Sequence, residues 1–145
     1  MGIGYKTLSE LNPGLIYACI SGFGSLDGYL GPYSKRPAYD IVAQAMGGLM
    51  NTCGQSDGPP TWLGVALGDI VSGMQAAYAI MLALYQRTVT GRGQYIDVSM
   101  YDAMIGLAER SVTAYSLTGH VIERGRESYM APWGPFKCKD GWIGL

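Results

Sequence analysis

Apolar residues fall into runs of two periods along this chain, and the periods predict its elements. Residues 15–20 (Leu-Ile-Tyr-Ala-Cys-Ile) form an unbroken apolar stretch between Asn12-Pro13-Gly14 and Ser21-Gly22-Phe23-Gly24. A short run bounded by turn residues predicts a buried strand of a parallel sheet. Residues 24–37, rich in Gly, Tyr and Pro, read as a loop. Residues 39–50 predict a helix with Ile41, Val42, Ala45, Met46 and Leu49 on one side, and Gly47-Gly48 signals close packing or an early stop. A polar loop follows over 51–60. Residues 70–87 predict the longest helix: Val71, Met74, Tyr78, Met81, Leu82 and Tyr85 recur at helical spacing, and alanines fill the other faces. A helix apolar all round is expected in the core.

After the turn Thr90-Gly91-Arg92-Gly93, residues 94–99 alternate, with Ile96 and Val98 on one face and Tyr95 and Asp97 on the other, a strand pattern. Ser99-Met-Tyr-Asp102 has the form of a helix-opening cap, and the helix runs to about Leu117 and stops at Gly119. Residues 119–131 read as a linker. Residues 136–145 resemble a β-hairpin around Asp140-Gly141. Strand, helix, helix, strand, helix is an α/β order. The hairpin is barely complete at Leu145, so the chain is expected to be an internal piece of a longer protein.

Composition narrows the class. Hydrophobic residues make up 48% of the 145 and net charge is −1, which excludes a disordered chain. The 10 basic residues are scattered among 11 acids, which argues against nucleic acid as a partner. Charged residues are only 14%, against roughly 25% in an average domain, so much of the surface is expected to be covered by a partner chain or further sequence. Cys19, Cys53 and Cys138 form no framework, and His120 is the only histidine. Neither a disulfide scaffold nor a metal site is predicted, and a cytoplasmic location is expected. Residues 65–85 approach the length of a membrane span. Asp69, Ser72 and Gln75 in their first half point instead to a turn and a buried helix, with no membrane.

The informative chemistry is Gly64-Val-Ala-Leu-Gly68-Asp69-Ile-Val-Ser-Gly73, an aspartate between glycines at the mouth of an apolar helix. One reading makes Asp69 the helix N-cap. The other makes it a nucleophile. The helix dipole favours its ionised form, the glycines let a substrate carbonyl approach, and their amides bind the developing oxyanion.

Five ordered motifs resemble those of the family III CoA-transferases. They are Asn12-Pro-Gly-Leu-Ile-Tyr-Ala-Cys-Ile-Ser-Gly-Phe-Gly24, Arg36-Pro-Ala-Tyr-Asp-Ile-Val-Ala-Gln-Ala-Met-Gly-Gly48, Asp57-Gly-Pro-Pro60, Gly64 to Asp69, and Thr90-Gly-Arg-Gly-Gln-Tyr-Ile-Asp-Val98. The resemblance implies an incomplete Rossmann-like parallel-sheet core. Residues 1–118 would be the central part of a large domain, 119–131 a linker, and 132–145 the beginning of a small α+β domain. It implies an interlocked homodimer when the protein is full length. The implied reaction passes CoA from an acyl-CoA thioester to a carboxylic acid through a covalent aspartyl intermediate on Asp69. CoA is then a carried substrate, with no tightly bound cofactor.

The resemblance further implies that Pro37, Ala38, Tyr39 and Asp40 lie along CoA near the nucleophile. Tyr39 stands where the related α-methylacyl-CoA racemases have a histidine. A phenol with a reference pKa near 10 is a poor base at neutral pH, which argues for transfer over racemisation. Tyr39 reads equally as an aromatic packing residue at a helix start. His120 reads as a solvated residue after a helix. The alternatives are the racemase, or an inactive truncated homologue that acts only as an association module.

Overall fold

Two parallel strands, β1 (Tyr17–Ser21) and β2 (Tyr95–Ser99), pair in register from Tyr17 opposite Tyr95 to Ser21 opposite Ser99. The computed structural model describes residues 2–125 and 132–145; residues 126–131 of the expected linker lie outside this description. Between the strands run α2 (Asp40–Met46), α3 (Leu49–Thr52) and the 24-residue α4 (Leu67–Thr90). A parallel pair needs such a crossover, because no tight turn can return the chain to the same end of the sheet. α5 (Met100–Leu107) and α6 (Glu109–Thr118) follow β2. The short antiparallel strands β3 (Pro135–Lys137) and β4 (Trp142–Gly144) form a second sheet, the expected hairpin. The chain is thus mixed α/β with a small parallel sheet.

The turn before β2 is held by its glycines. Gly91 ends α4 with φ +67°, a left-handed conformation that glycine adopts without strain. Gly93 donates its N–H to the Pro13 carbonyl at 2.8 Å, and a Cβ there would run into the Leu15 carbonyl. Arg87 Nη1 donates to the Gly14 carbonyl at 2.9 Å, so both sides of the β1 approach are fastened to the end of α4.

One buried cluster joins Ala43, Leu49, Met100, Ala103, Met104 and Ala108, with Leu67 and Val71 packed on it. The other joins Ala76 and Ala83 of α4 to Ile96 and Val98 of β2. Helix α4 therefore bridges the helical layer and the sheet. On the opposite face of the sheet, Tyr17 stacks on Tyr95, and Tyr5 from the N-terminal helix α1 (Tyr5–Leu11) tilts over both.

Several expectations are corrected. The N-terminal helix was not foreshadowed: it has no side-chain cap and no buried residue, and only its Tyr5 reaches the sheet rings. The first strand lies at 17–21, where backbone pairing with β2 operates, and not at 15–20. The 39–50 helix stops at Gly47, because Gly48 takes φ +86°. Close packing also holds there, since a Cβ on Gly47 would collide with that of Met104. α2 buries Ala43 and Gln44 and leaves Ile41 and Met46 exposed, because small residues let it approach α5. The helix after β2 breaks at Ala108, whose N–H is shared between the Met104 and Ile105 carbonyls.

The largest correction concerns α4. Its inward face is small: Gly68, Ser72, Ala76 and Ala83 are buried. Of the large residues expected in the core, Val71 packs on the first cluster, whereas Met74, Tyr78, Met81, Leu82 and Tyr85 face outward. Ile70, Met74, Tyr78, Met81, Tyr85 and Val89 run down one exposed stripe, from 52% exposed at Ile70 to 79% at Val89. The helix is long and apolar enough to cross a membrane, and its small-residue face packs on protein from Gly68 to Ala83.

Candidate functional site

The site is built where the strands end. Gly22, just past β1, accepts the Tyr101 N–H at 3.0 Å through its carbonyl. It has no room for a side chain, because a Cβ would overlap that of Ala38. The segment Pro37-Ala38-Tyr39-Asp40 is thereby laid against the carboxyl end of β1, the edge at which open α/β sheets bind ligands. Pro37 is exposed, Ala38 half-buried, and Tyr39 is 79% exposed. Within this chain the Tyr39 ring is therefore not packed. Its ring is turned outward, while its carbonyl accepts the Val42 and Ala43 amides that open α2.

Asp40 reaches from α2 to the start of α4. Its Oδ1 accepts the Gly68 N–H at 2.7 Å. Its Oδ2 accepts from Gln44 Nε2 at 2.7 Å and from the Trp62 indole at 3.3 Å. Gln44, fully buried, uses the same Nε2 to bond the Val65 carbonyl at 2.9 Å. Its Oε1 has no partner. The two acceptors fix the amide's orientation, because a flipped amide would set oxygen against both of them. Gly68 leaves little room at this junction: a Cβ would sit 3.1 Å from Asp40 Oδ1 and 3.3 Å from the Ala43 Cβ, tighter than ordinary contact.

Asp69 lies next to this junction, third in α4 and exposed. The N-cap reading is corrected. The cap position is Ala66, with no side-chain cap bond of its own, and the carboxylate that takes a free amide of the first turn is Asp40. The Gly68 amide is also withdrawn from the expected oxyanion role, since it is already bonded. Among the described residues no group donates to the Asp69 carboxylate, so it stands open at the positive end of a long helix. The structure therefore brings the 37–40 segment and the Asp69 turn together through one hydrogen bond. His120 is exposed beyond α6, on a different part of the chain. Among the described residues no group of three His, Cys, Asp or Glu could hold a metal.

Gln44 and Trp62 were not singled out in the sequence. A Trp after a Pro-Pro loop carries no local signal of a carboxylate partner 22 residues away, whereas Gln44 stands four residues after Asp40, a helical spacing at which such a pair can bond.

The chain is α/β with an exposed carboxylate in the first turn of its longest helix, and comparison identifies its family. The model of CoA-transferase family III matches residues 1–145. A succinyl-CoA:mesaconate CoA-transferase from Haloarcula hispanica is 43% identical over 97% of this chain and 36% of its own length. An acetyl-CoA:oxalate CoA-transferase from Acetobacter aceti is 41% identical over the same shares. A crystal structure of a CAIB/BAIF family protein from Brucella suis superposes with a TM-score of 0.85 at 37% identity, covering 97% of this chain and 37% of that one. The chain belongs to CoA-transferase family III. It spans about a third of the length of these relatives.

Proposed function

We propose that the protein containing this chain transfers coenzyme A between an acyl-CoA thioester and a carboxylic acid, with Asp69 as the covalent nucleophile. The observation that carries this reading is the open Asp69 carboxylate beside a first-turn amide already engaged by Asp40. The relatives' names, each pairing a CoA thioester with a second carboxylic acid, support the reaction class. The Asp69 carboxylate attacks the thioester carbonyl, forming an aspartyl mixed anhydride and expelling CoA thiolate. The thiolate attacks the aspartyl carbonyl, releasing the donor carboxylate and leaving an aspartyl-CoA thioester. The acceptor carboxylate attacks that thioester, expelling CoA thiolate and forming a second mixed anhydride, and the thiolate attacks the acceptor carbonyl of that anhydride, giving the new acyl-CoA and freeing the Asp69 carboxylate. Pro37, Ala38, Tyr39 and the main chain of Asp40 lie along the CoA thioester. CoA enters and leaves as a substrate. An interlocked homodimer that covers the α4 stripe is the assembly we propose, and three free cysteines support a cytoplasmic setting.

Trapping tests the covalent step. Full-length protein turning over an acyl-CoA and a carboxylate in hydroxylamine is expected to acquire a hydroxamate on the peptide carrying Asp69. Continued transfer with that peptide unmodified overturns the nucleophile assignment.

Tyr39 separates transfer from racemisation. Tyr39→Phe removes one hydroxyl and is expected to retain activity within roughly three- to tenfold, the effect of one hydrogen bond. In deuterated water, a 2-methylacyl-CoA incubated with the full-length protein is expected to show no exchange at its α-carbon. Exchange at a rate comparable to turnover would establish a base opposite Asp69 and the racemase in place of the transferase.

A further inference from the structure

We infer that the Asp40 carboxylate is a positioning residue for the Asp69 nucleophile: it caps helix α4 from outside and so fixes the turn from which Asp69 projects. The inference rests on the transferase reading and adds a residue to it. A helix that starts on a side chain of its own N-cap is held by a local bond. α4 has none at Ala66, and the bond to Gly68 comes from a carboxylate 28 residues earlier in the sequence. That carboxylate is itself immobilised, with Gln44 and Trp62 donating to its second oxygen and Gln44 tied to Val65 in the approach to α4. The Val65 carbonyl and the Gly68 amide flank the start of the helix, so two bonds clamp the backbone on either side of its first residue. The absence of a Cβ on Gly68 lets the carboxylate come this close.

The arrangement separates two tasks that one aspartate at this turn would otherwise combine. A carboxylate folded back as a cap has its lone pairs spent on backbone amides and is a poor nucleophile. With Asp40 serving as the cap, the Asp69 carboxylate keeps its lone pairs and has its origin fixed in space. The side chain of Asp40 then acts through Gly68 and not on CoA, which leaves ligand contact in the 37–40 segment to the main chain and to Tyr39.

The test compares Asp40→Ala and Asp40→Asn with wild type in the full-length protein, measuring kcat, KM for the acyl-CoA, and hydrogen exchange of the peptide spanning residues 65–70 without substrate. Asp40→Ala is expected to lower kcat by about 10- to 100-fold, to leave KM within about threefold, and to speed exchange in that peptide. Asp40→Asn keeps one oxygen for the Gly68 amide and is expected to recover part of the lost kcat and of the protection. If Asp40→Ala does not fold, Asp40→Asn carries the test alone, with an intermediate kcat and faster exchange expected. A variant with normal kcat and a KM raised tenfold or more overturns the inference, because the carboxylate would then be a substrate contact. Unchanged exchange in the 65–70 peptide overturns it equally. An inactive Asp69→Asn beside an Asp40→Ala of normal kcat refutes only the positioning role. An active Asp69→Asn refutes the transferase reading itself.

Discussion

Asp69→Asn and Asp69→Ala are each expected to abolish CoA transfer in the full-length protein, with losses on the order of 10^4-fold or more, as when a nucleophile is removed from other covalent enzymes. Asn has the same shape and lacks the anionic oxygen that must attack the thioester. The fold is expected to survive both changes, because the Asp69 carboxylate is exposed and the first turn of α4 is capped by Asp40. The structural cost is then confined to the interaction of an acidic group with the helix dipole, about 0.3–1 kcal/mol. Steady-state transfer assays, with a thermal melt of each variant as the control, check both halves. Turnover within tenfold of wild type by either variant, with an unchanged melt, rules out covalent catalysis through Asp69.

The sequence made the elements around this site legible where local chemistry decides them. Ser99 accepts the Asp102 N–H at 3.2 Å, the bond its spacing predicted. Ile96 and Val98 are buried and Tyr95 and Asp97 lie on the other face, because a strand's alternation is fixed by its own backbone. Asp69 was correctly placed at a helix mouth. What the sequence hid is what depends on distant residues. The cap of α4 is supplied from Asp40, and no window around residue 69 contains that partner. The inward face of α4 was misassigned because hydrophobicity ranks Met and Tyr above Ala and Ser, whereas close approach to α2, α5 and the sheet selects small side chains. The same preference hid Ala43 on α2, and Gln44 is buried through its bonds to Asp40 and the Val65 carbonyl. The loop after β1 is likewise settled at long range: the Asp97 carboxylate accepts the Ser25 and Leu26 amides at 2.8 and 3.0 Å, 72 and 71 residues away. Beside it, burial raises the Tyr95 phenol above its ordinary pKa, with Cys19 and Asp97 adding to the rise and the Ser25 hydrogen bond opposing it.

The 145-residue chain on its own is expected to self-associate, and the stripe on α4 is the reason. Ile70, Met74, Tyr78, Met81, Tyr85 and Val89 follow one another at four- and three-residue steps, so they form a continuous apolar ridge and not scattered exposed residues. Fully burying one such side chain is worth about 1.5–3 kcal/mol. More than half exposed as they are, the six together offer on the order of several kcal/mol, within reach of the roughly 4–15 kcal/mol that association costs once other exposed apolar groups contribute. Leu82, next to the ridge, and Leu117 on α6 are such groups. Charge gives little opposition, because net charge is −1 and only 14% of residues are charged. Size-exclusion chromatography with light scattering is expected to show oligomers or aggregate that grow with concentration. Met81→Lys combined with Tyr85→Lys places two charges in the middle of the ridge and is expected to shift the population toward monomer. A wild-type chain that elutes as a monodisperse monomer and melts cooperatively would show that the ridge needs no cover. The assembly we propose for the full-length protein would then lose its physical motive.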